Sequence, residues 1–196
     1  MTTGVSAAPA VRRRREVVPT SVFGMLVFVG TELMFFAGLI SAFTITRAGS
    51  PTLAWSLPSG LVLPAAETAF NSIALVASAV VMFLANRRYR AGDRAGARPL
   101  LLASTLLGAL FVVLQGREWW ALLSQGVTIW SGTLSAFFYL IVGTHALHAV
   151  AAVAALAVAW RRLGRGTLTP GFFFGAQTFW YFVVGIWPVI YLRVYF

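Results

Sequence analysis

The sequence predicts an all-α protein, a polytopic membrane bundle of five transmembrane helices with the N-terminus cytoplasmic and the C-terminus outside. Three observations carry that expectation. Of the 196 residues, 59% are hydrophobic and only 10% are charged, against about a quarter charged in a soluble domain. Five apolar runs approach the roughly 20 residues that a helix needs to cross a hydrocarbon core of about 30 Å. The arginines cluster on alternate connections between those runs. Cysteine is absent, which excludes disulfides, thiolate metal sites, iron–sulfur clusters and cysteine nucleophiles.

Residues 1–20, "MTTGVSAAPAVRRRREVVPT", are polar, small and basic, and are read as a disordered cytoplasmic tail. The membrane domain is expected over 21–196. Its first span runs from about Ser21 to Thr46, the second from Thr68 to Ala85 and the third from Pro99 to Leu123. The fourth runs from Ser131 to Trp160, and the fifth from Gly171 to the end. The connection "RAGSPTLAWSLPSGLVLPAAE" is long for a helical bundle, rich in Pro, Gly and Ser, and suited to lie along the surface or against a neighbour.

All fifteen basic residues are arginine, and the net charge is +10. Twelve arginines fall on the side of the tail and of the loops after spans two and four, against three (Arg47, Arg117 and Arg193) on the other. The positive-inside rule sets the orientation from that bias. Because the arginines sit in short clusters between spans, topology accounts for the basic charge, and no nucleic-acid partner is expected. Trp55, Trp119, Trp120 and Trp130 fall near the outer interface and Trp160 near the inner one, as an aromatic belt requires.

Glu32 lies about 16 Å into span one, at 1.5 Å per residue. A carboxylate at that depth costs at least ~2.5 kcal/mol on insertion scales, so it is expected to be protonated or paired. The residues leave open a functional acid and a hydrogen-bonded structural one. His145 and His148, the only histidines, are one turn apart in span four at a similar depth and on one face. Glu67, just after Pro64, suits a helix N-terminus, where negative charge meets the positive end of the dipole. Arg117 and Glu118 are neighbours that face different ways on a helix. With Glu67 and Trp119 they are expected to meet lipid or the interface. Gly143, Ala146 and Ala149 favour close helix contact.

Ligand counting argues against a metal. Two histidines on adjacent turns of one helix suit an axial haem pair poorly. A catalytic zinc wants three protein ligands plus water, and a bundle di-iron site wants repeated Glu-x-x-His. A serine protease reading fails on distance, because Ser135 lies about ten residues, or ~15 Å, from the histidines along its helix. No catalytic residue and no metal ligand are therefore assigned.

Five motifs together resemble one family. "FVGTELMFFAGLISAF", "FNSIALVASAV", "QGREWW", "VGTHALHAV" and "FWYFVVGIW" are similar, in family order, to signature segments of haem-copper oxidase subunit III, from about Val22 to the end. The resemblance is to the five-helix form. It implies a chain that binds no haem or copper itself, packs against oxidase subunit I (with subunit II in the complex), holds phospholipid, and supports proton uptake. It places Glu32 at the family's buried, carbodiimide-reactive acid and His145 and His148 at its paired structural histidines. Asn71, Trp180 and Trp187 are assigned to subunit packing. The sequence departs from the pattern at Tyr181, where the family has His, at Val184, where it has Asp, and at Ala149, where it has Val. The first two changes remove polar partners from the last span and put a proton-related role there in doubt.

The resulting expectation is a non-catalytic subunit of a bacterial terminal oxidase that reduces oxygen to water, in the inner membrane. Haem and copper are expected in the partner subunits. Two alternatives stand beside it: an accessory protein of a nitric oxide reductase system, and a free-standing proton-coupled membrane protein.

Overall fold

A computed structural model describes residues 20–50, 55 and 63–196. The basic tail, apart from Thr20, and most of the long connection after the first span lie outside the described residues. Among the described residues five helices follow in order: α1 (Thr20–Gly49), α2 (Ala65–Arg90), α3 (Arg94–Ser124), α4 (Thr133–Gly164) and α5 (Pro170–Val194). Each is long and apolar enough to cross a membrane.

Most helix ends overrun the predicted spans, though α4 starts two residues later than expected and α5 ends at Val194, because hydropathy locates the apolar segment whereas capping sets the end. α2 continues through its arginines to Arg90, and Gly92, at φ +82°, closes it in a conformation that glycine adopts without strain. α3 begins five residues before Pro99. The Asp93 carboxylate accepts from the Gly96 amide at 2.8 Å, satisfying one of the first-turn donors. α5 opens in the same way, with the Thr169 hydroxyl accepting from the Phe172 amide and Pro170 at the first helical position.

α2 and α3 form the most extensive pair, α4 packs between α3 and α5, and α1 leans on α5 and α4. Consecutive helices run in opposite directions, so the arginines of the α2–α3 and α4–α5 turns gather at one end of the bundle. There the Arg98 guanidinium lies 5.4 Å from the centre of the Trp160 ring, and Arg162 lies 4.4 Å from that of Phe172. At the opposite end the Arg47 guanidinium donates to the Phe196 carbonyl at 2.9 Å.

The core is built from large side chains at helical spacing, among them Leu75, Met82, Phe111, Phe138, Ile141, Leu156, Trp180 and Trp187. Among the described residues, α1 contributes only Phe36 and Phe43 to it and turns Phe23, Leu33, Met34 and Ile45 outward. The Trp180 ring of α5 reaches α3 at Gly108, where no side chain stands in its way. A Cβ there would sit 2.6 Å from the Trp180 ring.

Candidate functional site

Two polar clusters lie inside the bundle among the described residues; Trp187 stacks on His145 beside the first and donates to Ser72 beside the second. The first joins α1 to α4. Glu32 and His148 each fall near the middle of their helices, and Glu32 Oε2 lies 3.0 Å from His148 Nε2. His148 Nδ1 lies 2.8 Å from the Thr144 carbonyl oxygen. A carbonyl only accepts, so Nδ1 must carry a proton. The contact to Glu32 then holds one further proton, bound either to the carboxyl or to the imidazole. In both arrangements the pair has no net charge, which is how a carboxyl group is tolerated at this depth.

Aromatic rings wall this pair. Phe36 approaches His148 edge-on at 5.5 Å, and Phe179 and Phe182 both lie 6.1 Å from it. Phe36 also approaches His145, at 6.5 Å. His145 itself is only 1% exposed. Its ring stacks on Trp187 at 4.8 Å and 25°. Neither of its nitrogens has a hydrogen-bond partner among the described residues. The two histidines thus do different things: His148 is held at both nitrogens, whereas His145 is held by its faces.

The second cluster surrounds Glu118, about 9 Å from the C-terminal end of α3 at 1.5 Å per residue. Its carboxylate accepts from the Thr68 hydroxyl at 2.6 Å, the Asn71 amide at 2.5 Å and the Gln115 amide at 2.8 Å. Thr68 and Asn71 are one turn apart on α2, and Gln115 and Glu118 one turn apart on α3, so each pair presents one face to the other helix. Gln115 also reaches the Tyr195 hydroxyl at 3.3 Å. α5 is fastened to the start of α2 by two further bonds, Trp187 Nε1 to the Ser72 hydroxyl at 2.8 Å and the Tyr191 hydroxyl to the Ala65 carbonyl at 2.9 Å.

The remaining candidates fall around these clusters. Arg117 and Glu67 are exposed and flank a groove beside Glu118. Trp119 is half-buried and packs edge-on against Tyr139 at 5.5 Å. Asn71, Trp180 and Trp187 are buried against this chain's own helices. The departures Tyr181 and Val184 are half-buried on α5, and the Tyr181 hydroxyl has no partner among the described residues. Thr68, Ser72, Gln115, Tyr195 and the phenylalanine wall did not stand out in the sequence. Polar residues at a spacing of three or four within apolar spans were the available signal for the first three.

Among the described residues, no three His, Cys, Asp or Glu side chains converge as a metal-ligand set. His148 has both nitrogens engaged and His145 faces Trp187, so the histidines are not arranged as a ligand pair.

A family model described as cytochrome c oxidase subunit III matches residues 12–196. The cytochrome c oxidase subunit 3 of Corynebacterium diphtheriae is 32% identical over 188 residues, covering 88% of this chain and 86% of that protein. That of Gadus morhua is 32% identical over 181 residues, covering 88% of this chain and 68% of that protein. A protein of Mycobacterium leprae, described as a probable cytochrome c oxidase subunit 3, is 28% identical over 176 residues, covering 88% and 86%.

Proposed function

Because the chain belongs to the cytochrome c oxidase subunit III family, we propose that it is a supporting subunit of a bacterial haem-copper oxidase, with the redox centres carried by its partner subunits. It sits in the cytoplasmic membrane with its arginine-rich end inward. It stabilises subunit I, in a complex that includes subunit II, and it binds phospholipid along the apolar faces that α1 and α2 turn outward.

The observation that carries this reading is the closed state of the Glu32–His148 pair. One proton is shared between the two groups, the imidazole's other nitrogen is tied to a carbonyl, and phenylalanines surround them. Such a unit pins α1 to α4 without placing charge in the membrane. It suits a scaffold whose contribution to proton uptake is made through the stability of the complex.

The test is the haem content of the purified complex carrying Glu32→Gln. The haem-to-protein ratio of the parent complex is the expected result. Loss of haem from an otherwise intact complex would mean that Glu32 does more than support.

A further inference from the structure

A groove of about 590 Å³ runs between α2 and α3, at the end of the bundle where α2 begins and α3 finishes. Glu67 and Phe70 stand on one side of it, and Leu114, Arg117, Glu118 and Ala121 on the other. The second set repeats at intervals of three, four and three positions, which makes one stripe of a helix. The Thr68 hydroxyl meets the Glu118 carboxylate at 2.6 Å across the two helices, so Glu67 and Arg117 flank that contact at matching height.

Glu67 and Arg117 are both exposed. The ion pairs among the described residues are Arg88–Asp93 and Glu32–His148, so neither charge is offset in that way. Glu118 differs, because its oxygens already accept from Thr68, Asn71 and Gln115. The groove therefore turns one guanidinium and one carboxylate towards a ligand. Glu67 lies in the first turn of α2. Arg117 lies about 10 Å from the end of α3 at 1.5 Å per residue, a depth from which a long side chain reaches out to the headgroup layer. One turn deeper, Phe70, 71% exposed, and Leu114 give the groove apolar surface.

This layout complements a headgroup that carries both charges. The planar guanidinium fork suits a phosphate, with two parallel N–H donors. A carboxylate only accepts, so it suits an ammonium that keeps its N–H groups. An anionic headgroup would satisfy Arg117 but would bring its charge up to Glu67 and Glu118. A choline headgroup has the right charges but no N–H to give to Glu67.

We propose that this groove binds a zwitterionic phospholipid with a primary ammonium, phosphatidylethanolamine. Its phosphate lies on Arg117, its ammonium on Glu67, and the start of an acyl chain against Phe70 and Leu114. The inference rests on the reading of this chain as one that holds phospholipid, and adds to it a place and a headgroup class. It does not depend on the oxidase assignment.

The test is native mass spectrometry of the full chain, released from detergent micelles that contain phosphatidylethanolamine, phosphatidylcholine or phosphatidylglycerol with identical acyl chains. The parent chain is expected to bind the ethanolamine lipid severalfold more tightly than the other two. Glu67→Gln should abolish that preference over phosphatidylglycerol, and Arg117→Gln should weaken the ethanolamine lipid severalfold. Arg193→Gln, an exposed arginine at the same end but outside the groove, should leave the preference as in the parent. Phospholipid bound by the parent without headgroup preference would overturn this inference alone. A preference that survived both groove substitutions would overturn it too, because the headgroup would then be held elsewhere. A parent chain that retained no phospholipid would overturn the phospholipid-holding reading as well.

Discussion

Glu32 and His148 are 116 positions apart in the chain, yet their side chains meet at 3.0 Å in the middle of the bundle. The Thr144 carbonyl makes the arrangement directional. It fixes a proton on His148 Nδ1 and leaves Nε2 to face the carboxyl group.

Substitutions at Glu32 should therefore divide by hydrogen-bonding capacity and not by charge. In Glu32→Gln the amide N–H donates to a neutral His148 Nε2, and stability should stay within about 0.5 kcal/mol of the parent, below the ~0.6 kcal/mol average of interhelical bonds in bilayers. Glu32→Leu strands that nitrogen and should cost about 1–3 kcal/mol. Unfolding of the full chain in mixed detergent micelles separates the two. Equal losses in both variants would contradict the one-proton pair.

The contact of the Trp180 ring with Gly108 gives a steric prediction. In Gly108→Ala the added carbon meets the fully buried Trp180 ring at 2.6 Å. Overpacking of this kind should cost about 1–3 kcal/mol. Gly116→Ala, on the same helix, meets nothing within 4 Å and should be neutral or slightly stabilising. Thermal melting of both variants in bilayer discs checks the contrast.

Asp93, in the turn between α2 and α3, provides a pH-dependent contribution outside the membrane. The Gly96 amide and then the Arg88 guanidinium hold its carboxyl below the ordinary value of 3.8. A group whose value is depressed on folding stabilises the fold above its unfolded value, and that contribution is lost as pH falls through the folded one. Parent and Asp93→Asn should therefore differ by a constant margin between pH 5 and 8, taken as roughly one unit or more above an unperturbed aspartate. The margin should shrink below 3.8. A margin that persists at acid pH would assign the effect to the cap's shape alone.

Much of the helical layout was legible in the sequence, because five apolar runs with arginine clusters on alternate connections leave few other arrangements. Helix ends were less legible, since Asp93 and Thr169 act through single hydrogen bonds that hydropathy does not weigh. Glu32 and the histidines stood out as rare groups at matching depth. Which histidine Glu32 meets did not, because residues one turn apart share a face and only packing separates them. The Glu118 cluster was harder still. Its donors, Thr68, Asn71 and Gln115, are ordinary in composition and gain meaning only when α2 and α3 are placed side by side.

The central claim is that this chain supports an oxidase whose redox centres lie in its partners. The most direct measurement is a reduced-minus-oxidised absorption spectrum of the tagged chain, isolated from native membranes in mild detergent and again after dissociation from its partners. The account predicts haem bands in the first sample and none in the second. Haem bands that stay with the isolated chain, or a native complex with no haem protein in it, would contradict it.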